Sequence, residues 1–441
     1  MENKGTYSPE AALKNELIKA KAEFQNRSFG NLIKKFFYAY LLVFPFVGGY
    51  LPYFAAGNSY IDFQELVYIF LSALLIYFFI INRFQIVISK ITFWLLIYFA
   101  YTILNQYFNT GKVAFSLNLY SFSILGCLIL FENIDFNLYD LKILTNILVI
   151  VSIGIVFVSL IQIAITPFFY LGIHQSSTEG LELYKDLEGI YRNNSIFSGI
   201  SAHDAGIAMG CLSLYFLFLN LYKKKNLFLV IFIGLCCSCF FTYSKWVWGI
   251  PLIGSMFFIY YKYKSYNLIL IPVISLLLLF TIVTFSADIE QSKIYQNRIV
   301  TDTYKGRTES TQIYFDKFFP QRPLFGYGIT SWIDKDYLTY LWHGIHVAYF
   351  DIMFRSGIIG LALYLLFWFQ YFARSWLVCK VTDNPIFIAF VAAVLYINST
   401  ALFDHLYFYG YMLMFFYLNL YYNLFLVKGS KYKPEQVYQL L

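Results

Sequence analysis

Apolar residues in this chain are gathered into long runs instead of alternating with polar ones. Twelve such runs are each about 17 to 30 residues long, enough for an α-helix to cross roughly 30 Å of hydrocarbon. The pattern therefore predicts an all-α, polytopic membrane protein with about 12 transmembrane helices. The runs lie near residues 36–54, 64–82, 86–108, 113–131, 143–171, 198–221, 226–243, 246–261, 266–287, 347–372, 385–403 and 406–427.

Two polar segments are much longer than the other connections between runs. One covers about residues 172–197, and the larger one covers about 288–345, between the ninth and tenth runs. Most of the 32 basic residues fall on the side of the membrane that holds the two termini. Because basic residues mark the cytoplasmic side, we predict that both termini are cytoplasmic and that both long segments are extracytoplasmic loops.

The same pattern divides the chain into three parts. Residues 1–31 contain a Ser-Pro helix start, then apolar residues opposite several lysines. This arrangement predicts a short amphipathic helix on the cytoplasmic surface. Residues 32–428 form the transmembrane domain with its two outer loops, and residues 429–441 form a cytoplasmic tail.

Composition supports the membrane assignment and excludes several other classes. Of the 441 residues, 59% are hydrophobic and only 13% are charged, unlike soluble domains. The net charge of +7 follows from the placement of basic residues and does not indicate nucleic-acid binding. The chain lacks a phosphate-binding loop of the ATPase type, and no histidine has metal-ligand spacing to a cysteine. We therefore expect no cofactor and no metal.

Cationic side chains in the 288–345 loop are the first candidates for binding a substrate. Arg298, Arg307 and Arg322 lie there, the last two beside glycine-containing turns. A guanidinium group binds phosphate oxygens in pairs and stays charged at any working pH, so these residues suit a diphosphate. Asp334 and Asp336 have the spacing of the metal-binding acids of nucleotide-sugar transferases, but nucleotide sugars are not present outside the cytoplasm.

Further ionisable residues lie where apolar runs begin. His346 opens the tenth run, three residues after His343. An imidazole near neutral pH can take a proton from a sugar hydroxyl. Arg355 lies inside that run and needs an anionic partner or ligand, while His203 and Asp204 open the sixth run and are predicted to line a wet cavity.

Five short motifs follow one another along the chain: Ser244-Lys245 at a helix end, Arg307 in the large loop, Pro323-Leu324-Phe325-Gly326-Tyr327-Gly328, His346-Val347, and Gly357-Ile358-Ile359-Gly360. In this order they resemble the motifs of the O-antigen polymerase and O-antigen ligase superfamily, bacterial membrane glycosyltransferases that use undecaprenyl-diphosphate-linked glycans. Two positions depart from the family pattern, since Lys245 replaces an arginine and Val347 replaces an asparagine.

The resemblance implies an inverting glycosyl transfer with a lipid diphosphate as leaving group. It makes His346 the general base, because the spacing from His343 to the glycines fits less well. It also implies that cationic residues stabilise the departing diphosphate. The residues expected to bind the diphosphate are Arg307, Arg322, Lys245 and Arg192. The other expected substrate-binding residues are Arg298, Arg355, His203, Asp204 and His343.

The resemblance leaves the acceptor open. A polymerase transfers the glycan to another lipid-linked repeat unit, making O-antigen or capsule, and a ligase transfers it to lipid A-core. Val347 favours the polymerase, because it breaks the His-Asn pair usual in ligases. A flippase for the same lipid-linked units is the alternative from another class. The expected partners are the lipid-linked oligosaccharide, membrane lipid, a chain-length regulator and a flippase, at the periplasmic face of the bacterial inner membrane.

Overall fold

The computed structural model is helical through almost all of the chain that it describes. The described residues are 29–43, 45, 54–56, 59–61, 63–81, 86–111, 113, 115–165, 202–223, 225–242, 245–263, 311–328, 347–400 and 408–427. The helices are α1 (29–43), α2 (Phe63–Ile81), α3 (Lys90–Thr110), α4 (Phe115–Asn133), α5 (Leu138–Ile165), α6 (Ala202–Lys223), α7 (Asn226–Phe240), α8 (Lys245–Tyr263), α9 (Ala348–Thr382), α10 (Ile386–Thr400) and α11 (Phe408–Tyr422).

The observed helices lie close to the positions of the predicted apolar runs. Over the described ranges, eleven of the twelve runs coincide with a helix, and the run near 266–287 lies outside these ranges, as does the predicted amphipathic helix within 1–28. Four described helices are long and apolar enough to cross a membrane. The helical, multi-pass class of the prediction is therefore confirmed. The four long helices are Lys90–Thr110, Leu138–Gln162, Ala348–Thr382 and Tyr409–Val427.

One element departs from the predicted all-α fold. Strands β1 (Phe54–Ala56) and β2 (Ser59–Ile61) form an antiparallel pair between α1 and α2. The first helix already includes residue 29, before the predicted start of its run, and the strand pair lies where that run was expected to end. The apolar pattern extended across the start of this hairpin because its residues are also largely apolar or aromatic.

Helices α3 and α9 pack side by side in opposite directions and connect two polar regions of the bundle. At the start of α3, the backbone N–H of Ser89 donates to the Glu132 carboxylate at 3.0 Å. At the end of α3, the side-chain amide of Asn105 donates to the carbonyl of Arg355, two residues before Gly357, at 3.1 Å. We call these regions the Glu132 end and the Gly357 end.

The Glu132 end contains a buried ion pair between α4 and α9. Arg374 Nη1 lies 3.0 Å from Glu132 Oε1, and their side chains are 11% and 4% exposed. The same nitrogen donates to Asn419 Oδ1 at 3.1 Å, and the guanidinium carbon lies 4.5 Å from the centroid of the Tyr422 ring. Arg374 therefore joins α4, α9 and α11 through one side chain.

A second ion pair at the same end ties α1 to α5. Lys34 Nζ lies 3.0 Å from Asp140 Oδ2, and Tyr38 donates to Asp140 Oδ1 at 2.9 Å. Lys34 also donates to the carbonyl of Asp135 at 3.0 Å. Because the carboxylate and the ammonium group are both buried, these hydrogen bonds replace the water that each would otherwise hold.

Helices α6 and α8 pack closely and in parallel. A Cβ at Gly206 would lie 2.8 Å from Val247, and one at Gly210 would lie 3.0 Å from Ile250, so glycine permits the contact. The two helices therefore begin at the same level.

Contacts with α10 show that α6 and α8 begin at the Gly357 end of the bundle. Gly249 of α8 lies against Tyr396 of α10. Beside it, Tyr349, near the start of α9, donates to the carbonyl of Leu395 at 3.1 Å. The first turns of α6, α8 and α9 therefore share one end of the bundle.

Candidate functional site

Helix α9 is broken at Gly357, and the candidate site is built around the break. Gly357 has φ 66° and ψ −171°, a backbone conformation that essentially only glycine adopts. The helix is thereby divided into residues 348–356 and 358–382. A break of this kind leaves carbonyl groups on one side and N–H groups on the other without helical partners. Inside a membrane protein these groups must find partners elsewhere.

The segment from Pro323 to Gly328 supplies most of these partners. On one side of the break, the N–H of Tyr327 donates to Phe354 O at 2.9 Å and that of Gly328 donates to Arg355 O at 2.7 Å. On the other side, Pro323 O accepts from the N–H of Ile358 at 2.9 Å and Leu324 O from that of Ile359 at 3.3 Å. The segment therefore fits into the break and restores its backbone hydrogen bonds.

The glycines of both motifs are required by this close approach. Gly326 and Gly328 have φ values of 64° and 61°, in the left-handed region. A Cβ on Gly326 would lie 2.6 Å from both Gly357 N and Phe354 O, and one on Gly357 would collide with the carbonyl of Leu324. The two glycine motifs of the sequence are thus the two halves of one contact.

Aromatic rings hold the loop segment against the first turns of α9. Tyr314, Tyr327 and Phe354 form a buried cluster, in which Tyr314 and Tyr327 lie 5.5 Å and 5.2 Å from Phe354 between ring centroids. Tyr314 belongs to a π-helical turn, Tyr314–Phe318. Burial, helped by the nearby Tyr327 and Asp351, raises the pKa of the Tyr314 phenol above its ordinary value, so the hydroxyl stays neutral even at alkaline pH.

Helix α3 contributes polar side chains to the same break, and the sequence analysis missed them. Asn105 donates through Nδ2 to Phe325 O at 2.6 Å and to Arg355 O at 3.1 Å. Tyr101 donates to Ser356 O at 2.9 Å. The available signal was the presence of amide side chains near the end of an otherwise apolar run.

Arg322 lies beside this contact with its side chain exposed. Its Nη1 donates to Asn109 Oδ1 at 2.8 Å, and its guanidinium carbon lies 5.2 Å from the centroid of the Tyr327 ring. Within the described part of the chain, no carboxylate forms a salt bridge with it. The described residues therefore hold the guanidinium on one edge and one face and leave its remaining donors open to an anion.

Arg355 has its anionic partner within its own helix. Its Nε lies 3.0 Å from Oδ1 of Asp351, one turn earlier, and Asp351 is buried. The sequence predicts that Arg355 needs an anion, and its partner Asp351 went unrecognised although the four-residue spacing between them was visible. This pair neutralises a charge at the edge of the helix break.

The structure brings three other candidates to the same end without describing their side chains. His203 and Asp204 lie in the first turn of α6, and Lys245 is the first residue of α8. These two helices begin at the Gly357 end, as derived above. His346 directly precedes Val347, the N-cap of α9. Outside the described ranges lie His346, His343, Arg307, Arg298 and Arg192.

Comparison with known proteins gives one family. Residues 228–365 match the family model described as O-antigen ligase. The match supports a place in the O-antigen ligase and polymerase superfamily and confirms the resemblance derived from the motifs. It includes α8, the Pro323–Gly328 segment and the break in α9, but not α3. Among curated proteins, none matches the chain.

Proposed function

We propose that this member of the O-antigen ligase and polymerase superfamily polymerises undecaprenyl-diphosphate-linked repeat units into O-antigen or capsular polysaccharide. The observation that carries the proposal is Arg322, a cation held beside the family's glycine motifs with donors open to an anion. A membrane glycosyltransferase that releases a lipid diphosphate needs such a group where the negative charge develops. The proposed location is the periplasmic face of the inner membrane.

The proposed reaction is a single displacement at the anomeric carbon of the donor sugar. The acceptor hydroxyl oxygen forms the new bond as the bond to the diphosphate oxygen breaks, and attack from the opposite face inverts the configuration. His346 takes the hydroxyl proton as general base. Arg322 and Arg307 bind the departing diphosphate, whose charge is greatest as the bond breaks. Lys245, Arg192 and Arg298 add positive charge to the same region, and neither nucleotide nor metal takes part.

The polymerase is preferred over the ligase because Val347 stands where ligases usually have asparagine. In the ligase alternative, the same chemistry delivers the glycan to lipid A-core. In the flippase alternative, Arg322 would hold the diphosphate during transport and no glycosidic bond would form. A chain-length regulator and a flippase are the protein partners that the polymerase would need.

The decisive experiment is deletion in the native host, followed by complementation and gel analysis of surface polysaccharide. Loss of a polymerase leaves core bearing one repeat unit. Loss of a ligase leaves bare core while long lipid-linked chains accumulate, and loss of a flippase leaves bare core without such chains. Either of the latter two patterns contradicts the proposal.

Complementation with single substitutions tests the residues. Arg322→Ala should lower the rate of polymer formation by about 10²-fold or more, as removal of one charge-stabilising donor does. Lys317→Ala is the matched control, because Lys317 is an exposed cation of the same segment, and it should complement normally. His346→Ala should lower the rate by about 10² to 10⁴-fold, and His343→Ala should keep substantial activity. Reversed phenotypes of the two histidine variants would reassign the base to His343.

A further inference from the structure

A chain of side-chain hydrogen bonds joins Arg322 to the broken helix through α3. Arg322 Nη1 donates to Asn109 Oδ1 at 2.8 Å. Asn109 Nδ2 donates to Asn105 Oδ1, and Asn105 Nδ2 donates to Phe325 O at 2.6 Å and to Arg355 O at 3.1 Å. The network therefore has the guanidinium at one end and the backbone beside the break at the other.

The chemistry of the two ends fixes the direction of every hydrogen bond between them. A guanidinium group only donates, so Asn109 must turn its oxygen toward Arg322. Backbone carbonyls only accept, so Asn105 must turn its amide nitrogen toward Phe325 and Arg355. The remaining nitrogen of Asn109 then meets the remaining oxygen of Asn105. Only a side chain with both a donor and an acceptor satisfies each of the two positions.

This network restrains a side chain that would otherwise be free to move. Arg322 is exposed, and an exposed arginine loses conformational entropy when it binds a ligand. With Nη1 held by Asn109 and one face against Tyr327, that loss has already occurred before the ligand arrives. The edge that remains open can then bind phosphate oxygens in pairs.

We propose that Asn109, itself held by Asn105, is a positioning residue that orients the Arg322 guanidinium toward the leaving diphosphate. The proposal rests on the function proposed above for Arg322. It also extends the site beyond the matched family segment at 228–365, since Asn109 lies on α3. The first half of the chain then contributes directly to donor binding.

The test measures donor KM and kcat on the full-length protein in lipid, with a lipid-diphosphate-linked glycan as donor. Asn109→Leu should lower kcat/KM by about 10 to 10²-fold, the size of effect that a small misplacement of a binding group produces. Asn109→Gln keeps both amide atoms and should recover most of that loss. In an Arg322→Ala background, Asn109→Leu should cause no further loss, because it acts through Arg322.

Two further variants separate positioning from stability. Asn133→Leu is the matched control, since Asn133 is also a partly buried asparagine near a helix end, with amide hydrogen bonds to Val87 and Ile129. It should lower thermal stability without changing kcat/KM. Asn109→Asp has nearly the same volume and keeps the acceptor for Arg322. Its negative charge competes with the diphosphate, so the donor KM should rise.

The outcomes distinguish this inference from the function beneath it. Any of three results would overturn the positioning role. The first is a wild-type kcat/KM in Asn109→Leu, and the second is that Asn109→Leu lowers kcat/KM equally in the presence and absence of Arg322. The third is an unchanged donor KM in Asn109→Asp. Full activity of Arg322→Ala alone would remove the diphosphate role of Arg322 and the inference with it. An inactive Arg322→Ala beside a fully active Asn109→Leu would leave the proposed function standing.

Discussion

The two ends of the bundle differ in how polar residues join one helix to another. At the Glu132 end, oppositely charged side chains are buried and paired, as with Arg374 and Glu132 or Lys34 and Asp140. At the Gly357 end, Asp351 and Arg355 also form a pair, but within one helix. The polar contacts that join α3, α9 and the Pro323–Gly328 segment are made by backbone groups and neutral amides, and Arg322 remains exposed. Paired charges fix helices to one another, whereas backbone contacts at a helix break leave a cation available. Together with the proposed function of Arg322, this difference assigns stability and ligand binding to different ends.

The orientation of the bundle in the membrane should give the largest difference between the two ends, because a cysteine is labelled from outside the cell only at the end that faces outward. We replace the native cysteines by alanine and introduce one cysteine at Lys317, near the Gly357 end, or at Lys142, near the Glu132 end. Both positions are exposed. A membrane-impermeant thiol reagent added to intact cells should label the first and spare the second. Labelling of the Lys142 position alone would reverse the orientation and remove the periplasmic site from the proposal.

The buried ion pair at the Glu132 end should dominate stability. Glu132→Leu leaves Arg374 buried without its carboxylate, and loss of one partner of a buried pair costs about 3–5 kcal/mol. The thermal unfolding midpoint in lipid should therefore fall sharply. The double variant Glu132→Leu/Arg374→Met should recover most of the loss, because both charges are then absent. A single variant as stable as the wild type would contradict the assigned role of this end.

Substitution of the glycine at the break should lower stability less than loss of the Glu132–Arg374 ion pair does, but it should lower activity more. Gly357→Ala places a side chain in a conformation that costs about 1–3 kcal/mol, and its Cβ meets the carbonyl of Leu324. Gly111→Ala is the matched control, since Gly111 has φ 67° with nothing within 4 Å of the added Cβ. We expect polymer formation to fail in the first variant only. Equal activity in both would show that the contact does not position the site.

The sequence predicted the helices well because runs of apolar residues are a direct requirement of the membrane. It also found both glycine motifs, but it could not show that they contact each other. That contact depends on the φ of Gly357, which no pattern of polarity records. The hairpin at β1 and β2 was missed for a similar reason, since aromatic and apolar residues serve strands and membrane helices alike.

Polar side chains were predicted less completely than helices. Asn105 lies in an apolar run and Asn109 directly after it, and neither points to a particular chemistry, so their role emerged only when α3 was placed beside α9. The partner of Arg355 was easier to predict from the sequence, since Asp351 precedes it by one helical turn. The roles proposed for His346 and Arg307 stay predictions, because these residues lie outside the described ranges.

The contact at Gly357 also has a consequence for biosynthesis. Residues of α3 are synthesised more than two hundred positions before the carbonyl groups that Asn105 binds. A ribosome makes the chain from its N-terminus, so α3 exists long before either half of the broken helix. A polypeptide released between residues 328 and 347 therefore contains the asparagines and Arg322 but has no helix break to receive them. Assembly of this region depends on a nearly complete chain, so prematurely terminated products should be inactive.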